Sequence, residues 1–219
     1  MTDMILQDNG QDLRLFNCEK IVKCFILFDP SYIGYDQPPL IKPNEITEQN
    51  FELANKYMRA WIPGPAKQEA LRRANQIRNT LVQILADCSL LDEGWENVTR
   101  ERLRAVFETI FCPPIHRIHF AAATKLLHKN RPHLIPIMDS RVGGHFRARN
   151  AGPKNVDNLM RAIDKFRGEM SDHSQELECI RNNLQDVGIT LSLVRIFDIL
   201  WWARLANDFE DNLRQQLLG

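Results

Sequence analysis

Apolar residues recur at three- and four-residue intervals along most of the chain. Phe51, Ala54, Met58 and Trp61 form one stripe, Leu103, Val106, Phe107 and Ile110 a second, and Leu159, Ile163 and Phe166 a third. That spacing places each set on one face of a helix. Strand-like alternation is scarce, so the pattern predicts an all-α fold. Thr47, Thr99, Asn155, Ser174 and Thr190 mark helix starts, each with a side-chain oxygen able to accept from a free helical N–H. Proline and glycine clusters at 29–43, 62–65, 112–114, 130–136 and 150–153 divide the chain into about nine helices. The run CEKIVKCFILF, Cys18 to Phe28, fits a helix or a short strand and is assigned to helix because its neighbours are helical.

The last long run, from Ile189 to Leu205, is apolar nearly all round, which belongs in the middle of a bundle. Arg195 and Asp198 lie three residues apart inside it, and such charges survive burial as a pair. At 219 residues the chain suits one large domain or a compact two-lobed one, the candidate lobes being residues 1–60 with 155–219 and residues 61–154.

Composition narrows the class. Apolar residues make up 44% and charged residues 26%, as in ordinary globular proteins. No run of eighteen apolar residues occurs, and the N-terminus MTDMILQDNGQD is acidic where a secretory signal is basic and then apolar. A cytoplasmic protein with no membrane partner is expected. Cys18, Cys24, Cys88, Cys112 and Cys179 are scattered and never spaced as CxxC, so they predict buried thiols and neither disulfides nor a metal site.

The net charge of zero hides an asymmetry. Between Phe111 and Lys154 eight lysines and arginines meet one acid, Asp139, a local charge of +7, and the rest of the chain therefore carries −7. Five of the six histidines, His116, His119, His128, His133 and His145, share that segment. A basic segment in an acidic body is the footprint of a polyanion, which points to DNA as a partner. The same strip could instead neutralise the acidic remainder or an acidic partner.

Asp139 follows the apolar run LIPIM and precedes a predicted helix through Arg141, Val142 and Phe146. A carboxylate there accepts backbone N–H bonds, faces the positive end of the helix dipole, and stays fixed and ionised. It can simply cap the helix. It also suits a reaction that develops positive charge beside a phosphate-bound substrate, as cleavage of a base from deoxyribose does.

The run AAATKLLHKNRPHLIPIMDSRV, Ala121 to Val142, resembles the segment of helix-hairpin-helix DNA glycosylases in which a helix, a turn and an apolar-Pro-apolar-apolar-Asp run lead to the catalytic aspartate. Asp139 matches that aspartate. The comparison extends to a divergent bacterial branch of single-domain glycosylases, including ones directed at modified phage DNA. The resemblance implies a two-lobed helical bundle and hydrolysis of the N-glycosidic bond of a flipped base, with no cofactor.

The chain departs from that family twice. CPPIHRIHF at 112–120 lacks the glycines of the family hairpin, so His116, Arg117 and His119 would replace backbone donors. The lysine of lyase-competent members falls near Phe120 or Ala121, whereas Lys125 lies one turn further on. Lys125 could act as a nucleophile, orient Asp139, or be a buried cation paired with an acid such as Asp198.

A monofunctional glycosylase with Asp139 and water is the expected mechanism, with Lys125 as the second catalytic candidate. Arg117, Arg141, His145, Arg147 and Arg149, with His116 and His119, are the expected DNA contacts. Trp61, Phe120, Phe146, Trp201 and Trp202 could stack on a base, although all but Phe146 fall on helical stripes. The competing readings are a DNA-binding protein that lost the chemistry and a module that docks an acidic partner.

Overall fold

A computed structural model describes residues 2–8, 11–15, 17–28, 34–37, 41–148 and 156–205. Helices dominate. They are α1 (Cys18–Phe28), α2 (Glu48–Lys56), α3 (Gly64–Arg72), α4 (Ala74–Leu81), α5 (Arg100–Phe111), α6 (Phe120–His128), the short α7 (Val142–His145), α8 (Val156–Asp172), α9 (Ser174–Gln185) and α10 (Leu193–Leu205). A π-helical turn, Trp95–Thr99, leads into α5.

The all-α expectation holds for most of the molecule, and Cys18–Phe28 is helical. One feature was not anticipated: an antiparallel hairpin of β1 (Met4–Asp8) and β2 (Gln11–Leu15) that pairs Met4 with Leu15 and Asp8 with Gln11. Met4, Leu6 and Leu15 turn into the core while Ile5 faces solvent, the alternation that a half-buried strand requires. Five-residue strands are too short to register in a helix-length window. The Asn9-Gly10 pair between them is nevertheless the standard two-residue hairpin signal.

The three stripes explain how the helices assemble. Leu103, Val106, Phe107 and Ile110 of α5, and Leu159, Ile163 and Phe166 of α8, are all buried, and the two helices pack together. α10 is buried on nearly every side, from Leu193 to Trp201, and lies against α1, α7 and α9. One apolar cluster runs from Met4 through the middle of the chain to Ala203. The first stripe behaves differently. α2 ends at Lys56, Met58 is buried, and Trp61 is 78% exposed. Arg59 and Trp61 adopt positive φ, 51° and 53°, and Pro63 and Pro65 follow, so the helix cannot continue through them.

The helix starts follow the expected chemistry at Thr47, which forms a reciprocal capping box with Asn50. The cap of α10 lies two residues later than the one expected. It is Ser192, whose Oγ accepts from Arg195 N at 3.1 Å, and not Thr190. The cysteines divide too: Cys18 and Cys24 are buried, but Cys112 and Cys179 are exposed.

Candidate active site

α6 and the segment that follows it create the site. Arg131, fully buried, donates to the carbonyls of Pro43, Asn130, Leu81 and Ile84 and to Asn44 Oδ1. This ties the turn after α6 to two other segments, and it removes Arg131 from the surface charge counted in the sequence. The chain then doubles back along α6. His128 Nδ1 lies 2.6 Å from Ile135 O, and Thr124 Oγ1 accepts from Met138 N at 3.2 Å. Leu134 through Met138 are buried, so the apolar run is a strap lying on α6. Its end delivers Asp139 to the neighbourhood of Lys125, one turn before His128.

Asp139 sits half-buried at the mouth of α7. Its Oδ1 accepts from the backbone N–H of Arg141 at 2.8 Å and of Val142 at 2.9 Å, and its carbonyl accepts from Gly143 N at 2.9 Å. The capping geometry expected from sequence is therefore present. Gly143 is required there: a Cβ would lie 2.7 Å from the Phe120 ring and 3.3 Å from Met138 O. The Phe120 ring closes α6 against α7 over that glycine.

Lys125 is half-buried on the adjoining face of α6. Burial lowers its pKa from the ordinary lysine value; the charges of Asp139 and Asp198 act in the opposite direction, and Arg195 and Arg59 add to the lowering. The ammonium thus lies within the field of both carboxylates. The partner expected for it, Asp198, is instead hydrogen-bonded to Arg195 Nη1.

Behind Lys125 lies a buried network. Arg195 Nε and Nη2 bracket the Asp36 carboxylate at 2.9–3.1 Å, so one guanidinium serves two acids. The ion pair expected between Arg195 and Asp198 is present, and Asp36 is the member that sequence spacing could not reveal, 159 residues away. Burial pushes the Asp198 carboxyl up to about 7; Arg195 opposes this, and Asp139 and Asp36 reinforce it. Tyr35 donates its OH to Lys125 O at 2.9 Å and stacks on His128. Burial, then the Arg195 charge, push His128 down to about 3, so its ring is neutral and Nδ1–H donates to Ile135.

The expected DNA contacts separate into groups. His116, Arg117 and His119 are exposed on the loop between α5 and α6, with Arg117 at φ 66°. Arg141 is exposed and lies over the Trp202 ring at 5.1 Å. Arg147 is exposed at φ 62°. Arg149 lies outside the described residues.

His145 does not join this set. It stacks on Trp201 at 3.8 Å and meets Glu169 at 3.8 Å, so its ring points into the helix packing. Trp201 and Phe146 are buried with it, which removes both as stacking surfaces for a base.

Trp61 is the aromatic that sequence periodicity misplaced. Its loop is held rigidly: Asn55 Nδ2 donates to Ile62 O at 2.9 Å, Ile62 N donates to Asn55 Oδ1 at 2.8 Å, and Ala60 N donates to Ala54 O at 3.0 Å. Arg59 on the same loop contributes to the field at Lys125. Pro63 and Pro65 share a groove with His116 and Arg117, which connects this loop to the basic one. Among the described residues, no group of three or more His, Cys, Asp or Glu is placed to share a metal ion. No helix among them is long and apolar enough to cross a membrane.

The model of a family of unknown function (DUF6308) matches residues 33–205, a span that contains Tyr35, Asp36, Lys125, Asp139, Arg195 and Asp198. No curated protein and no solved structure matches the chain.

Proposed function

The chain belongs to the DUF6308 family, whose function is unknown, so its chemistry rests on its own site, and we propose that it is a DNA glycosylase hydrolysing the N-glycosidic bond of a flipped base. The observation that carries this reading is the placement of Asp139, a half-exposed carboxylate held by two backbone N–H groups and within the electrostatic reach of the half-buried Lys125 ammonium. Such an anion stabilises positive charge developing on the sugar and accepts a proton from water attacking C1′. As the C1′–N bond breaks, its electron pair leaves with the base, which takes a proton from solvent. Lys125 holds the field around Asp139.

Phosphates would be met by Arg117, Arg141 and Arg147, with His116 and His119 beside them. These residues are exposed and flank the Asp139 segment in sequence. Trp61, largely exposed to water on a loop tied down by Asn55, would stack against an unpaired base, a sequence-tolerant contact. A modified base in phage DNA is one substrate class that fits.

The test is base release from duplexes carrying damaged and hypermodified bases, scored as abasic sites. The wild-type protein should release at least one of them, and Asp139→Asn should slow release roughly 10²–10³-fold. Salt-sensitive DNA binding with no release from any duplex would favour a binding protein of the same architecture.

A further inference from the structure

The loop after α6, the end of α9 and the start of α10 line a half-open cavity of about 230 Å³. Lys129, His133 and Arg181 line it, with the Gln185 amide, the Thr190 hydroxyl and the Asp36–Arg195 pair. The lining side chains include Lys129, Arg181 and Arg195 as bases and Asp36 as an acid.

Asp36 is committed to Arg195 through both oxygens. Among the described residues, Lys129 Nζ meets the Asp36 carbonyl at 3.5 Å and the Tyr35 ring at 5.4 Å and has no carboxylate within salt-bridge distance. Arg181 pairs with Glu178 through Nη2, and its buried Nε has no hydrogen-bond partner among the described residues. Arg195 is shared between Asp36 and Asp198 and Arg181 pairs with Glu178, so Lys129 and the Arg181 Nε–H are what remain for an anion.

Burial lowers the pKa of both Lys129 and His133; at Lys129 the Asp36 charge opposes this and Arg195 adds to it, and at His133 Arg181 adds to it and Asp87 opposes it. Leu191 and Ser192 bring the cavity to the start of α10, a thirteen-residue helix whose positive end favours an anion. The volume is below the roughly 300–1,000 Å³ of pockets for larger ligands, so it suits an anionic group and excludes a duplex.

We propose that this cavity binds a small free phosphate or phosphomonoester between Lys129 and Arg181, at the start of α10. The site is independent of any activity at Asp139.

Inorganic phosphate titrated into the protein, with sodium chloride matching the ionic strength, tests this by amide NMR. Saturable shifts at Leu191, Ser192 and Val194 are expected. Arg181→Gln and Lys129→Gln should each weaken binding about tenfold or more, whereas Arg141→Gln should leave it unchanged. A 5′-phosphorylated single-stranded oligonucleotide should leave the three amides unshifted. Shifts that do not saturate, that persist in both cavity variants, or that the oligonucleotide reproduces at those amides would overturn the assignment.

Discussion

Asp198 and His128 are both buried near Lys125, and their ionisation is displaced in opposite senses. The Asp198 carboxyl is raised above its unfolded value, so its contribution to stability is present below about pH 4 and is lost as pH rises through about 7. His128 is depressed, so its contribution is present above about pH 6.5 and is lost as pH falls towards 3. Between these limits the two slopes oppose each other. Asp198→Asn removes one of them and resembles the protonated carboxyl, so it should keep the fold. Between pH 4 and 6.5 its stability should fall with decreasing pH more steeply than the parent's, by about 1.4 kcal/mol per pH unit. Urea melts at several pH values measure this, and parallel pH profiles for the two proteins would show that Asp198 is already ionised there.

At the same scale, the sequence carried the capping role of Asp139 and the Arg195–Asp198 pair because both depend on neighbours within three residues. It could not carry Asp36, whose contact with Arg195 is created only by folding, nor the burial of Arg131, whose acceptors come from residues 43, 44, 81 and 84.

The elements show where periodicity succeeds and where it stops. α5, α8 and α10 were legible because each is long enough for its apolar face to repeat several times. The stripe through Phe51, Ala54, Met58 and Trp61 continued on paper past the end of α2, but the backbone reverses hand at Arg59 and Trp61. Trp61 consequently moves from the expected core to the surface. α7, only four residues long, depends on its surroundings more than on its own propensity. Phe120 packs over Gly143 with no room for a methyl group. Gly143→Ala should cost about 1–3 kcal/mol and displace the N–H groups that hold Asp139. Thermal unfolding checks the first effect, and a base-release rate that falls while the fold remains intact checks the second. An unchanged melting temperature would mean that Phe120 moves aside freely.

Across the whole molecule, the helical class and the charge asymmetry were legible from residue order alone, whereas the distribution of charge in space was not. Burial withdraws Arg131, and the stacking of His145 on Trp201 turns that ring inward, so the surface presents fewer of the basic segment's groups than the sequence count suggests. What remains exposed includes His116, Arg117, His119, Arg141 and Arg147. Under the proposed function the partner and the chemistry can be separated experimentally, because exposed cations would govern binding and Asp139 would govern base release. Asp139→Asn keeps a side chain that caps α7 about as well and removes a negative charge that would repel the phosphates of a bound duplex.

The decisive measurement follows duplex affinity and single-turnover base release in parallel for the wild-type protein and Asp139→Asn, using the duplex from which the wild type releases a base fastest. Affinity should stay equal or tighten in the variant while the release rate falls by about two orders of magnitude or more. Release that continues at the wild-type rate, or a loss of affinity large enough to account for the loss of release, would contradict the assignment of Asp139 as the group that acts on the sugar.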